Sequence, residues 1–254
     1  MIERHGTRGA PLVVLLHGAC LNRKSWLPLV RYLPDFELLA LDLPGHGARR
    51  AEPFSLQGAL DTVGALLRSQ RPRRVILAGD SLGGYVALVA AAHSERGIAG
   101  VVAGGCTFEM VGAGALLARM SDAPLALARR LVGEARLDRR LERFLPRIFD
   151  AATAREVQAA GVRVAARSES LRELIGLALT PLVERIRVPI VFVNGRYDWF
   201  VRCGERTLLA QALRGSRRIA WRVGHGVSVL APEVFADAIR SLPEAQRAAA
   251  REAV

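Results

Sequence analysis

The sequence predicts an α/β protein: a doubly wound, mostly parallel sheet with an inserted helical cap. Short apolar runs alternate with helical segments along the chain, which is typical of a parallel sheet covered by helices on both faces. Polar residues follow several of these runs, and such sheets collect their reactive groups at the carboxyl ends of the strands. One long stretch, residues 108–181, has helical periodicity and no convincing strand, and this stretch predicts the cap.

The composition predicts a single folded domain with a large core. The chain has 254 residues, of which 51% are hydrophobic, and this length fits one α/β domain. Its formal net charge is +12, and nearly all of the basic residues are arginines. Because they are spread along the predicted helices and form no basic tail, we expect a solvated basic surface and no nucleic-acid partner. An arginine-lined site for an acidic substrate stays open.

The cysteines and the N-terminal segment favour a cytoplasmic location. Cys20, Cys106 and Cys203 are odd in number and widely spaced, so they predict neither a disulfide framework nor a metal site. The first nine residues lack the apolar core of a signal peptide, and the run 12–16 is too short to span a membrane. The sequence also contains no P-loop and no dinucleotide fingerprint. We therefore expect no membrane partner, no metal and no cofactor.

Six runs rich in apolar residues predict the strands of the sheet. In chain order they are residues 11–16, 36–41, 75–78, 98–103, 189–194 and 218–223. A helix is predicted to begin near Lys24, and further helices are predicted over 54–69, 85–92, 205–213 and 232–242. The Ala/Arg-rich tail after them is expected to fray. The core is therefore predicted to comprise residues 1–106 and 189–254, with the helical cap inserted over residues 107–188.

The stretch Gly79-Asp80-Ser81-Leu82-Gly83 predicts a nucleophile. It follows an apolar strand and precedes an Ala-rich helix, which is the context of the G-x-S-x-G elbow. A serine on so sharp a turn has a strained backbone, so the residues two before and two after it must be small. The turn also places the hydroxyl at a helix N-terminus, where free N–H groups can face a developing anion. A glycine turn whose serine only caps the helix is the alternative.

Asp198 and His225 are the candidates for the other two members of a catalytic triad. A serine hydroxyl needs a base within hydrogen-bond reach, and a buried carboxylate on the far ring nitrogen holds the imidazole in one tautomer. Each candidate follows a predicted strand, and the chain order is nucleophile, acid, histidine. The backbone N–H of Leu82, directly after the serine, is predicted to be one donor of the oxyanion hole.

Two other carboxylates lie near the predicted strand ends. Asp42 competes with Asp198 for the role of the acid, but it lies in a Pro-Gly turn and is expected to tie down that loop. Asp80 adjoins Ser81 in sequence, but neighbouring side chains on a tight turn point apart. We therefore expect neither carboxylate to be the catalytic acid.

Five motifs in this order resemble the α/β-hydrolase superfamily over nearly the whole chain. They are His17-Gly18, residues 42–47, residues 79–84, residues 194–198 and Gly224-His225. Within the superfamily the chain is most similar to small capped members. These are carboxylesterases, enol-lactonases, carbon–carbon bond hydrolases and cofactor-free haloperoxidases. The resemblance implies the α/β-hydrolase fold.

The resemblance also bears on single residues. It implies Ala19 as the second donor of the oxyanion hole, with Cys20 as a near alternative, and structural roles for His17 and His46. Some members place the acid after the strand that precedes the cap. Here that strand is followed by residues 104–106, which contain no carboxylate, and this favours Asp198.

The chain departs from the superfamily pattern at its beginning. Only a short segment precedes the first predicted strand, so the first hairpin common in the superfamily is expected to be truncated or absent. This departure touches no predicted catalytic position.

The residues and the resemblance together predict a serine hydrolase that cleaves an ester, a lactone or a related acyl bond through an acyl-enzyme. Its expected partner is a small-molecule acyl substrate. An acyltransferase, a carbon–carbon hydrolase or a menaquinone-pathway-type lyase could use the same triad. A ligand sensor or partner-binding protein that keeps the triad is a further alternative. Neither the substrate nor the oligomeric state is predicted, because both depend on surfaces that the motifs do not define.

Overall fold

The computed structural model describes residues 1–243 and 245, and these form a seven-stranded sheet. The strands are β1 (Ile2–Gly6), β2 (Leu12–Leu16), β3 (Glu37–Leu41), β4 (Val75–Asp80), β5 (Ile98–Gly104), β6 (Ile190–Gly195) and β7 (Gly215–Ala220). Their order across the sheet is β1-β3-β2-β4-β5-β6-β7. β1 pairs with β3 in the antiparallel sense, and all other pairs are parallel. The predicted mostly parallel sheet is confirmed.

The central strands are apolar on both faces because helices cover both faces. Every residue of β2, β3, β4, β5 and β6 is buried. In β2, Val14 packs into the core on one side of the sheet, and Val13 and Leu15 pack into the core on the other. Continuous apolar runs are the sequence pattern of strands buried in this way.

Helices join the parallel strands and supply the two covering layers. Outside the insertion they are α1 (Leu27–Val30), α2 (Leu56–Ser69), α3 (Leu82–His93), α9 (Trp199–Arg202), α10 (Glu205–Gln211), α11 (Val227–Leu230) and α12 (Pro232–Arg240). The core containing Val14 takes side chains from α2 and α3, and the opposite core takes side chains from α1 and α12. The sheet is therefore doubly wound.

A helical insertion lies between β5 and β6. Its helices are α4 (Gly112–Val132), α5 (Glu134–Phe144), α6 (Ala151–Ala160), α7 (Ala165–Leu174) and α8 (Thr180–Val183). Residues 105–189, all of which the structure describes, contain no strand. The predicted cap is thus a helical insertion, while its exact limits at 107 and 188 stay a prediction.

Two strands differ from the sequence prediction. β1 is present as an antiparallel edge strand, so the segment before β2 does pair with the sheet. The residues of β1 alternate between exposed and partly buried, and most of them are polar. The sequence therefore has no apolar run that would predict this strand. β7 lies three residues earlier than predicted, because its pairing with β6 runs from Gly215 to Ala220. The apolar Trp221 and Val223, which suggested a later strand, lie in the loop after it. The tail predicted to fray lies, apart from residues 243 and 245, outside the described residues.

Candidate active site

The turn from β4 into α3 presents Ser81 with a strained backbone. Ser81 has φ 53° and ψ −116°, although it is not a glycine. A Cβ on Gly79 would lie 2.1 Å from the carbonyl oxygen of Gly83, and a Cβ on Gly83 would lie 1.9 Å from that of Leu16. The sequence argument that both flanking positions must be small therefore has a direct structural basis.

Ser81, His225 and Asp198 lie within hydrogen-bond distance of one another in that order. His225 Nε2 is 2.9 Å from Ser81 Oγ, and His225 Nδ1 is 2.7 Å from Asp198 Oδ2. A carboxylate only accepts hydrogen bonds, so Nδ1 is the donor to Asp198. In the neutral ring Nε2 is then free to accept from the serine hydroxyl. Asp198 is buried, and His225 is half-exposed.

The surroundings of His225 raise its pKa above the ordinary value for histidine. Withdrawal of the ring from bulk water lowers the pKa. The hydrogen bond from Nδ1 to Asp198, followed by the negative charges of Asp80 and Asp198, raises it by more. The imidazolium form is therefore stabilised, as a base that accepts a proton during a reaction requires.

Asp80 is the group near the site that sequence reasoning missed. Its side chain is directed to Ser228 at the start of α11. It is buried, and its Oδ2 accepts hydrogen bonds from the N–H and the hydroxyl of Ser228. Its Oδ1 has no hydrogen-bond partner among the described residues. In the sequence, Asp80 is recognisable only as a carboxylate next to the serine. Its position near the site becomes clear from its hydrogen bonds to Ser228 of α11.

Ala19 and Leu82 both line the cavity beside Ser81. Leu82 is the first residue of α3, so its N–H has no acceptor within the helix. Cys20 has a positive φ of 69°, and its thiol lies 3.7 Å from the carbonyl oxygen of Val164 in the insertion. Burial raises the pKa of the Cys20 thiol to about 11, so this thiol is not ionised at neutral pH. Ala19 and Leu82 therefore line the cavity, while the Cys20 thiol is turned to the insertion.

His17 and His46 are buried in loop contacts away from the reactive hydroxyl. His17 Nε2 accepts a hydrogen bond from the N–H of Leu43, so its Nδ1 carries a proton and donates to the carbonyl oxygen of Gly18. Burial lowers the pKa of His17, and it lowers that of His46 to about 3. Both rings are therefore neutral at physiological pH.

Asp42 ties its loop to the chain around Arg23. It is fully buried and accepts hydrogen bonds from the backbone N–H groups of Arg23 and Ala48, at 2.9 and 3.0 Å. Its other contact is an ion pair with the Arg23 guanidinium at 2.5 Å. A Cβ on Gly47 would lie 2.4 Å from its Oδ1, so this loop also needs a glycine. All of these contacts are made away from His225.

A cavity of about 490 Å³ lies between the turn at Ser81 and the insertion. Most of its wall is apolar, with contributions from Phe108 and Met110 and from Leu171 and Leu174 of α7. The guanidinium of Arg167 brings a positive charge to this wall, where it donates to Asp122 Oδ1 at 2.8 Å. The arrangement can hold an apolar acyl group near the hydroxyl and place an acidic substituent near Arg167.

No cluster of metal-ligating side chains occurs in the part of the chain that the structure describes. Within the same residues, no helix combines the length and the apolar character needed to cross a bilayer.

Comparisons with known proteins agree with the architecture. The sequence model of the Alpha/beta hydrolase family matches residues 13–238. The 2-succinyl-6-hydroxy-2,4-cyclohexadiene-1-carboxylate synthase of Escherichia coli (strain SMS-3-5 / SECEC) is 36% identical over 105 residues. That match spans 40% of this chain and only 41% of the length of the synthase.

Two solved structures share the fold at low sequence identity. MenH from S. aureus is 18% identical with a TM-score of 0.78, and the alignment covers 98% of each chain. The enol-lactonase from Burkholderia xenovorans LB400 is 21% identical with a TM-score of 0.75, and the alignment covers 95% of each chain. Since the family model matches residues 13–238, which is most of the sequence, the chain belongs to the Alpha/beta hydrolase family.

Proposed function

We propose that the protein is a serine hydrolase that cleaves an ester, a lactone or a related acyl bond. The observation that carries the proposal is the pair of hydrogen bonds that join Ser81 Oγ to His225 and His225 to Asp198. This arrangement opens into a cavity large enough for a small acyl compound. A small-molecule acyl substrate and a cytoplasmic location belong to the same proposal.

The geometry supports a mechanism in two halves. Ser81 Oγ attacks the acyl carbon while His225 Nε2 takes the hydroxyl proton, and Asp198 stabilises the imidazolium that forms. The N–H groups of Leu82 and Ala19 face the oxyanion, and each such donor is worth about 3 kcal/mol in related chemistry. The proton on Nε2 passes to the departing alkoxide as the acyl–oxygen bond breaks. Water, deprotonated by Nε2, then releases the acid and restores the serine.

A second candidate is a menaquinone-pathway-type lyase, and the comparison that bears on it is the match to the 2-succinyl-6-hydroxy-2,4-cyclohexadiene-1-carboxylate synthase of Escherichia coli. The 36% identity over 105 residues favours it, and so does Arg167, which fits a substrate that carries a carboxylate. In that reaction Ser81 and His225 would move a proton of the substrate, and no acyl-serine would form. The two candidates therefore differ in whether a covalent intermediate exists.

Covalent labelling by a fluorophosphonate tests for the nucleophile. We expect one adduct on Ser81, mapped by peptide mass, that is lost in Ser81→Ala and weakened in His225→Ala. Ser94→Ala removes an exposed hydroxyl elsewhere and is expected to label like the wild type. A folded wild-type protein that takes no label would overturn the serine-hydrolase proposal and direct the search to ligand sensing or partner binding.

Trapping of the acyl-enzyme separates the two candidates. Rapid acid quench during turnover of an activated acyl ester is expected to leave an acyl mass on Ser81 in a hydrolase. Labelling by the fluorophosphonate without any acyl adduct, together with turnover of a carboxylate-bearing substrate that loses no acyl group, would favour the lyase.

A further inference from the structure

The outward face of α4 is apolar. Five large apolar side chains of this helix are between 47% and 75% exposed, and we call them the α4 stripe: Leu116, Leu117, Met120, Leu127 and Leu131. At 100° per residue, Leu116, Met120, Leu127 and Leu131 fall within one narrow sector, and Leu117 borders it. Single exposed apolar residues are ordinary, but five on one side of a 21-residue helix, two of them beyond the internal Pro124, mark an interaction surface.

The inner face of the same helix accounts for its packing on the protein. Ala118 is buried and, with Ser121, lines the cavity above Ser81. Asp122 also points inward and accepts hydrogen bonds from Arg167 and Ser168 of α7. The α4 stripe lies on the opposite side, so the packing of the helix does not explain it.

Exposed arginines border the α4 stripe. Arg119 and Arg130 are exposed and fall on one edge of it by helical geometry. No exposed residue of α4 is acidic, and the exposed Glu134 of α5 is bonded to Arg129. Helix α5 adds four further exposed arginines: Arg136, Arg139, Arg140 and Arg143. The α4 stripe therefore has a positive edge at Arg119 and Arg130, and the neighbouring helix α5 carries four more exposed arginines.

We propose that the α4 stripe docks the protein onto a membrane surface that contains anionic lipids. An apolar helical row flanked by arginines is the pattern of helices that lie in the lipid interface, where acyl chains meet the row and acidic headgroups meet the arginines. A second copy of the chain in antiparallel contact fits less well, because the twofold axis would bring the arginine edges of the two helices together. No helix of the described residues could cross a bilayer, and docking on a membrane surface does not require one.

Docking would bring the lipid phase close to the cavity. Helix α4 separates the two, and a helix is about 10 Å across. Apolar compounds that partition into the bilayer would then be concentrated near the cavity. Binding itself does not depend on the acyl chemistry proposed for Ser81, so the two proposals can fail separately.

Flotation with lipid vesicles tests the docking surface. The full-length protein is mixed at low salt with vesicles of phosphatidylcholine alone or of phosphatidylcholine and phosphatidylglycerol in equal parts. We expect the wild type to float with the anionic vesicles only. The pair Leu127→Gln and Leu131→Gln, and separately the pair Arg119→Glu and Arg130→Glu, should each weaken this binding by about tenfold or more.

Matched controls come from exposed residues elsewhere on the protein. Leu213→Gln removes an exposed leucine after α10, and Arg68→Glu reverses an exposed arginine on α2, so both should bind vesicles like the wild type. Turnover of a water-soluble ester without vesicles should be the same in all these variants, which shows that they fold. If the wild type does not turn over the water-soluble ester, the result counts against the hydrolase proposal and leaves the docking proposal unaffected.

Three results would overturn the docking proposal. The first is a folded wild type that floats with neither vesicle. The second is binding to anionic vesicles that all of the α4 variants retain. The third is a dimer, seen by light scattering, that the leucine variants dissociate while the wild type binds no vesicle, since the α4 stripe would then be a contact between two copies.

Discussion

At the scale of single residues, the site depends on how little space surrounds Ser81. Its positive φ is sustained because β2 and the start of α3 approach each other at glycines. Gly83 lies against the backbone of Leu16, and Gly79 lies against the backbone of Gly83. The strain at the serine is therefore held by backbone contacts, which do not move aside as flexible side chains do.

Replacement of Gly83 by alanine should destabilise the protein strongly. The new Cβ would lie 1.9 Å from the Leu16 carbonyl oxygen, so β2 and α3 would have to move apart. We expect the free energy of unfolding, measured by urea titration, to fall by about 3 kcal/mol or more.

Gly64→Ala on α2 is the matched control. There the new Cβ meets only the end of the Arg68 side chain, at 3.3 Å, and alanine should be neutral or stabilise the helix by up to about 1 kcal/mol. Equal stability of the two variants would contradict the steric account of the turn.

Replacement of Asp80 by asparagine should shift the pH dependence of the reaction. The negative charge of Asp80 helps to raise the pKa of His225, so its removal lowers that pKa. His225 must be neutral to accept the serine proton. The acid limb of the kcat/KM profile should therefore move to lower pH in Asp80→Asn.

The comparison with Asp198→Asn makes this result specific. In that variant the amide NH2 can donate to Nδ1 and hold His225 in the wrong tautomer, so we expect kcat to fall by about 10⁴-fold, the size of the effect when a triad carboxylate is replaced by an amide elsewhere. An unchanged acid limb in a folded Asp80→Asn protein would show that Asp80 only anchors Ser228.

At the scale of elements, the loop of residues 17–22 is tied to the insertion. Asn22 is fully buried, and its Nδ2 donates to the carbonyl oxygens of Val157 and Gly161, at 2.9 and 2.8 Å. The N–H of Arg163 donates to the carbonyl oxygen of Cys20. The position of Ala19 in the cavity thus depends on helices that lie more than a hundred residues further along the chain.

Asn22→Leu should affect both stability and turnover. It removes the donor to the buried carbonyl of Val157 and to the partly buried carbonyl of Gly161, which costs about 2–4 kcal/mol in the free energy of unfolding. Displacement of Ala19 should also lower kcat by about tenfold with a smaller change in KM, because the proposed mechanism uses the N–H of Ala19 as a donor to the developing oxyanion.

Gln57→Leu removes an exposed amide that bonds Asp61 on α2, and it should change neither quantity. A loss of stability in Asn22→Leu with unchanged kcat would mean that the loop does not depend on the insertion for its catalytic geometry.

Helix α12 holds the other face of the sheet through Phe235. This ring is fully buried and lies 5.4 Å from the ring of Trp26, centroid to centroid. Phe235→Ala should lower the free energy of unfolding by about 3–5 kcal/mol, because the site cannot collapse onto the lost ring. Leu230→Ala, at a half-exposed position before the helix, should cost about 1 kcal/mol or less in the same urea titration.

At the scale of the whole molecule, the sequence predicts the features that depend on neighbouring residues in the chain. It does not predict those that depend on contacts between distant segments. The buried parallel strands are recognisable because each is a continuous apolar run, as in β2 and β4. β1 is not predicted from the sequence because it is a mostly polar edge strand. The predicted position of β7 is three residues too late because Trp221 and Val223 are residue types that favour strands. An edge strand shows its pairing only once its neighbour is known.

The same division holds within the site. The glycines on either side of Ser81 predict its turn from the sequence alone. The chain order of Asp198 and His225 also predicts their roles, without any knowledge of the distances between them. The influence of Asp80 on His225 could not be read from the sequence, since it arises where β4 meets α11. The α4 stripe was not predicted for a similar reason. The sequence does not show whether the leucines of a helix face the core or the solvent. The limits of the cap and the cytoplasmic location stay predictions.

The long sequence separation between Ser81 and His225 has a consequence in time. The two residues are 144 positions apart, and the whole insertion is synthesised between them. The segment around Ser81 therefore emerges from the ribosome well before His225, the base of the proposed mechanism. Under the proposed mechanism, Ser81 is an ordinary alcohol while the chain is growing, and it becomes a nucleophile only after His225 has emerged and folded back.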